Sequence, residues 1–158
     1  MTLHVARLRP EAKAALDQAG WAPGRRTSPW RWLGPLLAEG YPRFPAALDA
    51  LAELGGLTVN PLRFIGPNFP NSEVIFDPLL GGSGQTELAG KVVEVVAEKV
   101  FPLGEWRNDM LLLIGETGAV FAVGPYGMWR VANGLEEALN RIVCSDTELE
   151  VLRHPSQF

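Results

Sequence analysis

The sequence predicts an α+β domain, a central and mainly antiparallel sheet flanked by helices. Three observations lead there. Phe44, Leu48, Leu51 and Leu54 recur at helical spacing, after which Leu57-Thr58-Val59 switches to strand-forming residues. Met110–Ile114 and Ala119–Val123 are apolar runs around the turn Gly115-Glu116-Thr117-Gly118, the pattern of a hairpin. Strand candidates in the second half follow one another across short turns, which antiparallel neighbours permit and parallel ones do not. Length favours one domain: the chain has 158 residues, read as a domain over 1–145 and a polar tail over 146–158.

Arg9-Pro10-Glu11 opens the first helix, with Ala12, Ala15, Leu16 and Ala19 on one face and Gly20 as its cap. Trp21–Arg26 is a turn. Ser28-Pro29 reads as N-cap and first residue of a second helix carrying Trp30, Leu33, Leu36 and Leu37. Pro35 inside it predicts a kink, or a break and restart, because an interior proline costs about 3 kcal/mol. Pro45 suits the first turn of the third helix, and Gly55-Gly56 supplies a left-handed stop.

Residues 60–72, with three prolines and a glycine, form a loop anchored by Phe64, Ile65 and Phe69. Glu73–Phe76 is a strand stopped by Asp77-Pro78, and Gly81-Gly82-Ser83-Gly84 is the most flexible stretch. Leu88, Val92, Val96 and Val100 share a helical face, although the valines alone would suit a strand; the helix is preferred over Thr86–Ala97. Lys99–Gly104 is a short strand running into a turn. After the hairpin, Gly124–Gly127 turns the chain and Met128–Val131 adds a strand. Asn133 and Glu136 resemble a capping box for a last helix carrying Leu135, Ala138, Leu139, Ile142 and Val143.

Composition narrows the function. Hydrophobic residues make up 47% and charged ones 20%, ordinary for a folded globular chain. A net charge of −4 argues against direct nucleic-acid binding and mildly favours a basic protein partner. The single cysteine, Cys144, forms no internal disulfide and stands in no metal-ligand spacing, so no metal or cofactor is expected. Met1–Arg7 lacks a signal-peptide run and no apolar stretch is long enough to span a bilayer, so a cytoplasmic location without membrane contact is expected.

No catalytic constellation is legible. His4 and His154 lack orienting partners, and Cys144 ends a helix as a packing residue. Gly81–Gln85 lacks both the final glycine of a nucleophile elbow and the ending of a phosphate-binding loop. Asp49, Glu53, Glu73 and Asp77 form a solvated acidic face or, as the alternative reading, part of a small-ligand or hydrolytic site with a histidine. Of five tryptophans, Trp21, Trp30 and Trp32 are expected to seal the core. Trp106, in the polar stretch Glu105–Asp109, and Tyr126, in a Gly-Pro-Tyr-Gly turn, are expected to be exposed. Trp106, Arg107, Asp109, Tyr126, Trp129 and Arg130 are therefore the candidate partner-binding residues, since Trp, Tyr and Arg dominate binding hot spots. Equally open is that Trp129 packs inward and the others cover strand ends.

The chain resembles the SUKH superfamily of bacterial immunity proteins, most closely its third family, from about Gly20 to Val143. The resemblance rests on Gly20-Trp21-Ala22-Pro23-Gly24-Arg25, on Leu48, Leu51 and Leu54-Gly55-Gly56-Leu57, and on Phe76-Asp77-Pro78. It continues through Phe101-Pro102-Leu103-Gly104-Glu105, the hairpin with Leu112-Leu113-Ile114, Gly118 and Val120-Phe121, and Gly134–Leu139. Ala119 stands where the family often has a basic residue, and Leu54 where an aromatic usually precedes the glycines. The resemblance implies an α+β fold without enzymatic activity that binds and neutralises a cognate toxin, often a nuclease or deaminase domain, in the cytoplasm. It brings no catalytic residue with it.

Overall fold

The computed structural model describes residues 3–158. Helices α1 (Pro10–Ala19), α2 (Trp30–Glu39) and α3 (Pro45–Leu54) come first, then short strands β1 (Thr58–Val59) and β2 (Val74–Ile75). Helices α4 (Pro78–Gly82) and α5 (Thr86–Val96) precede β3 (Val100–Trp106), β4 (Met110–Gly115), β5 (Val120–Gly124) and β6 (Gly127–Ala132). Helix α6 (Leu135–Cys144) and β7 (Glu150–Arg153) close the chain. The strands form one antiparallel sheet in the order β1-β2-β3-β4-β5-β6-β7, so the α+β expectation holds.

Strands β3–β6 are almost wholly buried because helices cover them: α3 contacts β3 and β4, α5 contacts β3 and β5, and α6 contacts β6. One contiguous core joins Leu16, Leu33, Leu36, Leu51 and Leu54 to Phe76, Phe101, Phe121 and Leu139. The helix chosen for the valine-rich segment is present as α5, burying Ala89 and Val92.

Several local expectations are corrected. Helix α2 runs unbroken through Pro35; the carbonyl deprived of its donor is that of Arg31, an exposed residue, where water can replace the lost bond. Trp21 and Trp32 are buried, but Trp30 is 62% exposed. At the end of α3 only Gly56 is left-handed, with φ 88°. Gly55 is there for space, since a Cβ would lie 2.4 Å from the Trp32 ring.

Gly81 and Gly82 are buried and helical, not part of an exposed turn. They belong to α4, which Asp77 caps by accepting from the amides of Leu79 (3.0 Å) and Leu80 (3.1 Å). A Cβ on Gly81 would sit 2.1 Å from the Gly104 carbonyl oxygen, so the glycines let α4 lie directly on the β3 backbone. Ser83 and Gly84 are held by the Glu39 carboxylate.

The N-cap of α6 is Gly134, with no side-chain cap. Glu136, expected in a capping box, instead accepts from the His4 amide at 2.9 Å. Residues 146–158, expected as a tail, contribute β7, which pairs with β6.

Candidate protein-binding face

The site grows from two turns and one long loop at neighbouring strand ends. Strand β3 does not stop at Gly104; it bulges between Pro102 and Gly104 and runs on to Trp106, which pairs with Met110. This extension takes Trp106 out of the polar loop where the sequence placed it. Trp106 is only 3% exposed, and its Nε1 donates to Asn71 Oδ1 at 2.9 Å. Its expected exposure is corrected: the indole is a buried floor.

The turn that follows uses consecutive left-handed residues, Arg107 (φ 62°) and Asn108 (φ 64°). That conformation is uncommon for any side chain, and asparagine tolerates it better than most. It carries the Arg107 guanidinium over the Phe69 ring (4.8 Å) and the Tyr126 ring (5.6 Å). Arg107 Nη2 also meets Asp109 Oδ2 at 3.5 Å. Phe69 makes edge contacts with Trp106 and Trp129, each at 5.1 Å between centroids.

Asn68, Phe69, Pro70, Arg107, Tyr126 and Trp129 thus line an open cleft of about 420 Å³. Tyr126 stands at its rim, 57% exposed, whereas Trp129 is buried. Arg130 lies elsewhere. Trp129 pairs with Ala122 and Arg130 with Phe121, so alternation sends the two side chains to opposite faces of the sheet. There Arg130 stacks over Phe121 (5.0 Å) and pairs with Glu150 at 2.8 Å.

The loop between β1 and β2 is pinned by polar groups, with Phe69 as its aromatic anchor. Asn71 Nδ2 donates to the Ile142 carbonyl (2.8 Å) and Asn68 Nδ2 to that of Thr147 (3.0 Å). Asn68 Oδ1 accepts from the Leu149 amide at 2.7 Å, and the Leu62 amide donates to the Val143 carbonyl at 2.8 Å. Phe64 and Ile65, expected as anchors, point outward instead at 65% and 84% exposure, with Leu62 also exposed. Sequence reasoning missed this apolar tip because it credited apolar residues, not asparagines, with holding the loop.

The four carboxylates of the alternative reading do not converge as one group: Asp49 and Glu53 line a cleft with Glu136, while Glu73 and Asp77 lie outside it. Asp77 is the cap of α4, and Glu73 accepts a short hydrogen bond from the Ser72 hydroxyl that draws its carboxyl below the usual range. Glu53 is buried and accepts from the Leu3 amide at 2.8 Å. Cys144 is buried beside Glu11, and burial pushes its thiol above the ordinary range. Among the described residues, no group of three or more His, Cys, Asp or Glu is placed to hold a metal ion, and no helix is long and apolar enough to cross a membrane.

No curated protein and no solved structure matches the chain. A family model described as SUKH-3 immunity protein matches residues 8–145, most of its length. The chain therefore belongs to the SUKH-3 immunity protein family.

Proposed function

We propose that this chain is an immunity protein that binds a cognate toxin, a nuclease or deaminase domain, and neutralises it by occlusion without catalysing a reaction. Family membership supports the toxin-neutralising role. The observation that supports the binding reading is the outward display of Tyr126 at the rim of the cleft and of Phe64 and Ile65 on the loop that the Asn68 and Asn71 amides tie down. Exposed apolar groups on a preorganised frame lose little entropy on binding, which is how a surface becomes a hot spot.

In this reading Tyr126 and Arg107 make direct contact, Asp109 orients Arg107, and Trp106 and Trp129 support the cleft from beneath. The net charge of −4 favours approach of a basic toxin. The encounter takes place in the cytoplasm of the protected cell. The test is co-expression with the protein encoded beside this chain's gene, with growth rescue and recovery of the complex as the expected result. Persistent toxicity and no complex would reject that partner and the neutralising role assigned against it.

A further inference from the structure

Residues 21–46 carry four arginines, Arg25, Arg26, Arg31 and Arg43, against one carboxylate, Glu39, so this segment is +3 within a chain of −4. Glu39 is turned away to Ser83 and Gly84. Arg25 is structural: its guanidinium donates to the carbonyls of Glu53 (2.6 Å) and Gly55 (2.9 Å) at the C-terminus of α3, where a cation is favoured. Arg26, Arg31 and Arg43 are exposed, and none forms an ion pair among the described residues.

Like charges converge here without a counter-charge. A Cβ on Gly56 would lie 2.9 Å from Arg31 Nη2 and 3.9 Å from Arg25 Nη2, so both guanidinium heads reach the same glycine. Arg31 also lies over the buried Trp32 ring at 4.2 Å, which fixes its stem. Trp30, one residue before Arg31 on α2, has the Arg43 guanidinium 5.8 Å from the centre of its ring. Trp30 is the outlier among tryptophans: at 62% it is exposed, while the other four lie between 3% and 7%.

We propose that Trp30, Arg31 and Arg43 form a docking surface for an acidic segment of a protein partner. This goes beyond the toxin-binding reading and does not rest on it. Guanidinium forks match carboxylates, and a solvent-facing indole supplies the apolar area that charge alone lacks. A protein segment fits better than nucleic acid for two reasons. The chain's net charge opposes a polyanion beyond the reach of this patch. The other aromatics of the segment, Trp21, Trp32, Tyr41 and Phe44, are buried, so no second ring continues a stack of bases.

The exposed indole provides the readout. Acrylamide quenching of the native protein reports Trp30 above all, and a fluorescently labelled Asp/Glu-rich peptide containing leucine gives an affinity by anisotropy. The intact chain should bind this peptide with protection of Trp30 from quenching, and binding should weaken at least severalfold between ~50 and ~200 mM salt. R31E/R43E and Trp30→Ala should each lose binding tenfold or more while remaining folded, with any drop in unfolding temperature confined to the lost Arg31–Trp32 contact, since Trp30 is 62% exposed and neither arginine forms an ion pair among the described residues. An acidic peptide that does not bind, binding that the two variants leave unchanged, or tighter binding of oligo(dT) than of the peptide would each overturn the proposal.

Discussion

Trp106 Nε1 donates to the Oδ1 of Asn71 across 35 positions of sequence, at 2.9 Å and out of contact with solvent. The same asparagine donates to the Ile142 carbonyl, so one side chain ties the loop before β2 to β3 and to α6. Asn71→Ala would orphan a buried indole N–H and a buried carbonyl together. At roughly 1–3 kcal/mol for each unsatisfied group, chemical denaturation should show a loss of several kcal/mol. Trp106→Ala should cost about 3–5 kcal/mol of fold stability, with any effect on partner binding following from unfolding.

Tyr126 behaves oppositely because it is at the rim. Tyr126→Ala is expected to weaken toxin binding by ~1–3 kcal/mol and leave the thermal midpoint within a degree or two of the parent. Arg107→Ala should weaken binding too, with some loss of stability, since its guanidinium lies over both the Phe69 and the Tyr126 ring. Calorimetric titration against the toxin, paired with thermal unfolding of the free variants, separates the two effects.

Gly81 is required by the contact of α4 with β3, and Gly104 by that of β3 with the end of β2. A Cβ on Gly104 would lie 2.0 Å from the Ile75 carbonyl oxygen, a backbone atom with no room to yield. Gly81→Ala and Gly104→Ala should each destabilise by at least the ~1–3 kcal/mol typical of overpacking, whereas Gly90→Ala, in open space on α5, should be neutral or stabilising. Urea midpoints of the three variants compare them directly.

Glu105 makes the stability depend on pH. Burial first, then the charges of Asp109 and Glu73, push its carboxyl above the ordinary range. A carboxyl raised on folding favours the protonated form in the native state, so its contribution is full below the unfolded pKa and is lost as pH rises through the folded one. Glu105→Gln should therefore unfold at a higher temperature than the parent near neutral pH, with the difference shrinking toward about pH 4. A difference that grows on acidification would contradict this origin.

Much of the architecture was legible because period and punctuation agree. The spacing of Phe44, Leu48, Leu51 and Leu54 marks α3, and the apolar runs on either side of a glycine-bearing turn mark β4 and β5. Errors fell where a glycine or asparagine has a tertiary reason. Gly81 and Gly104 look like turn residues locally, yet they permit backbone contact between elements more than 20 positions apart, and Gly82 makes room for the Pro102 ring. Asn68 and Asn71 look like loop filler, yet their amides hold the loop that frees Phe64 and Ile65 to face outward. The candidate face was half visible: Arg107, Tyr126 and Trp129 do converge, but Phe69, which joins them, was legible only as a loop anchor, and one step of strand alternation removes Arg130.

The most direct test of the account is the inhibition of the purified toxin's activity by this chain and by a double variant, Ile65→Asp with Tyr126→Ala. The account predicts stoichiometric inhibition by the parent chain, and for the correctly folded variant an inhibition constant at least tenfold weaker. Full inhibition by the variant, or none by the parent in a stable mixture with the toxin, would contradict it.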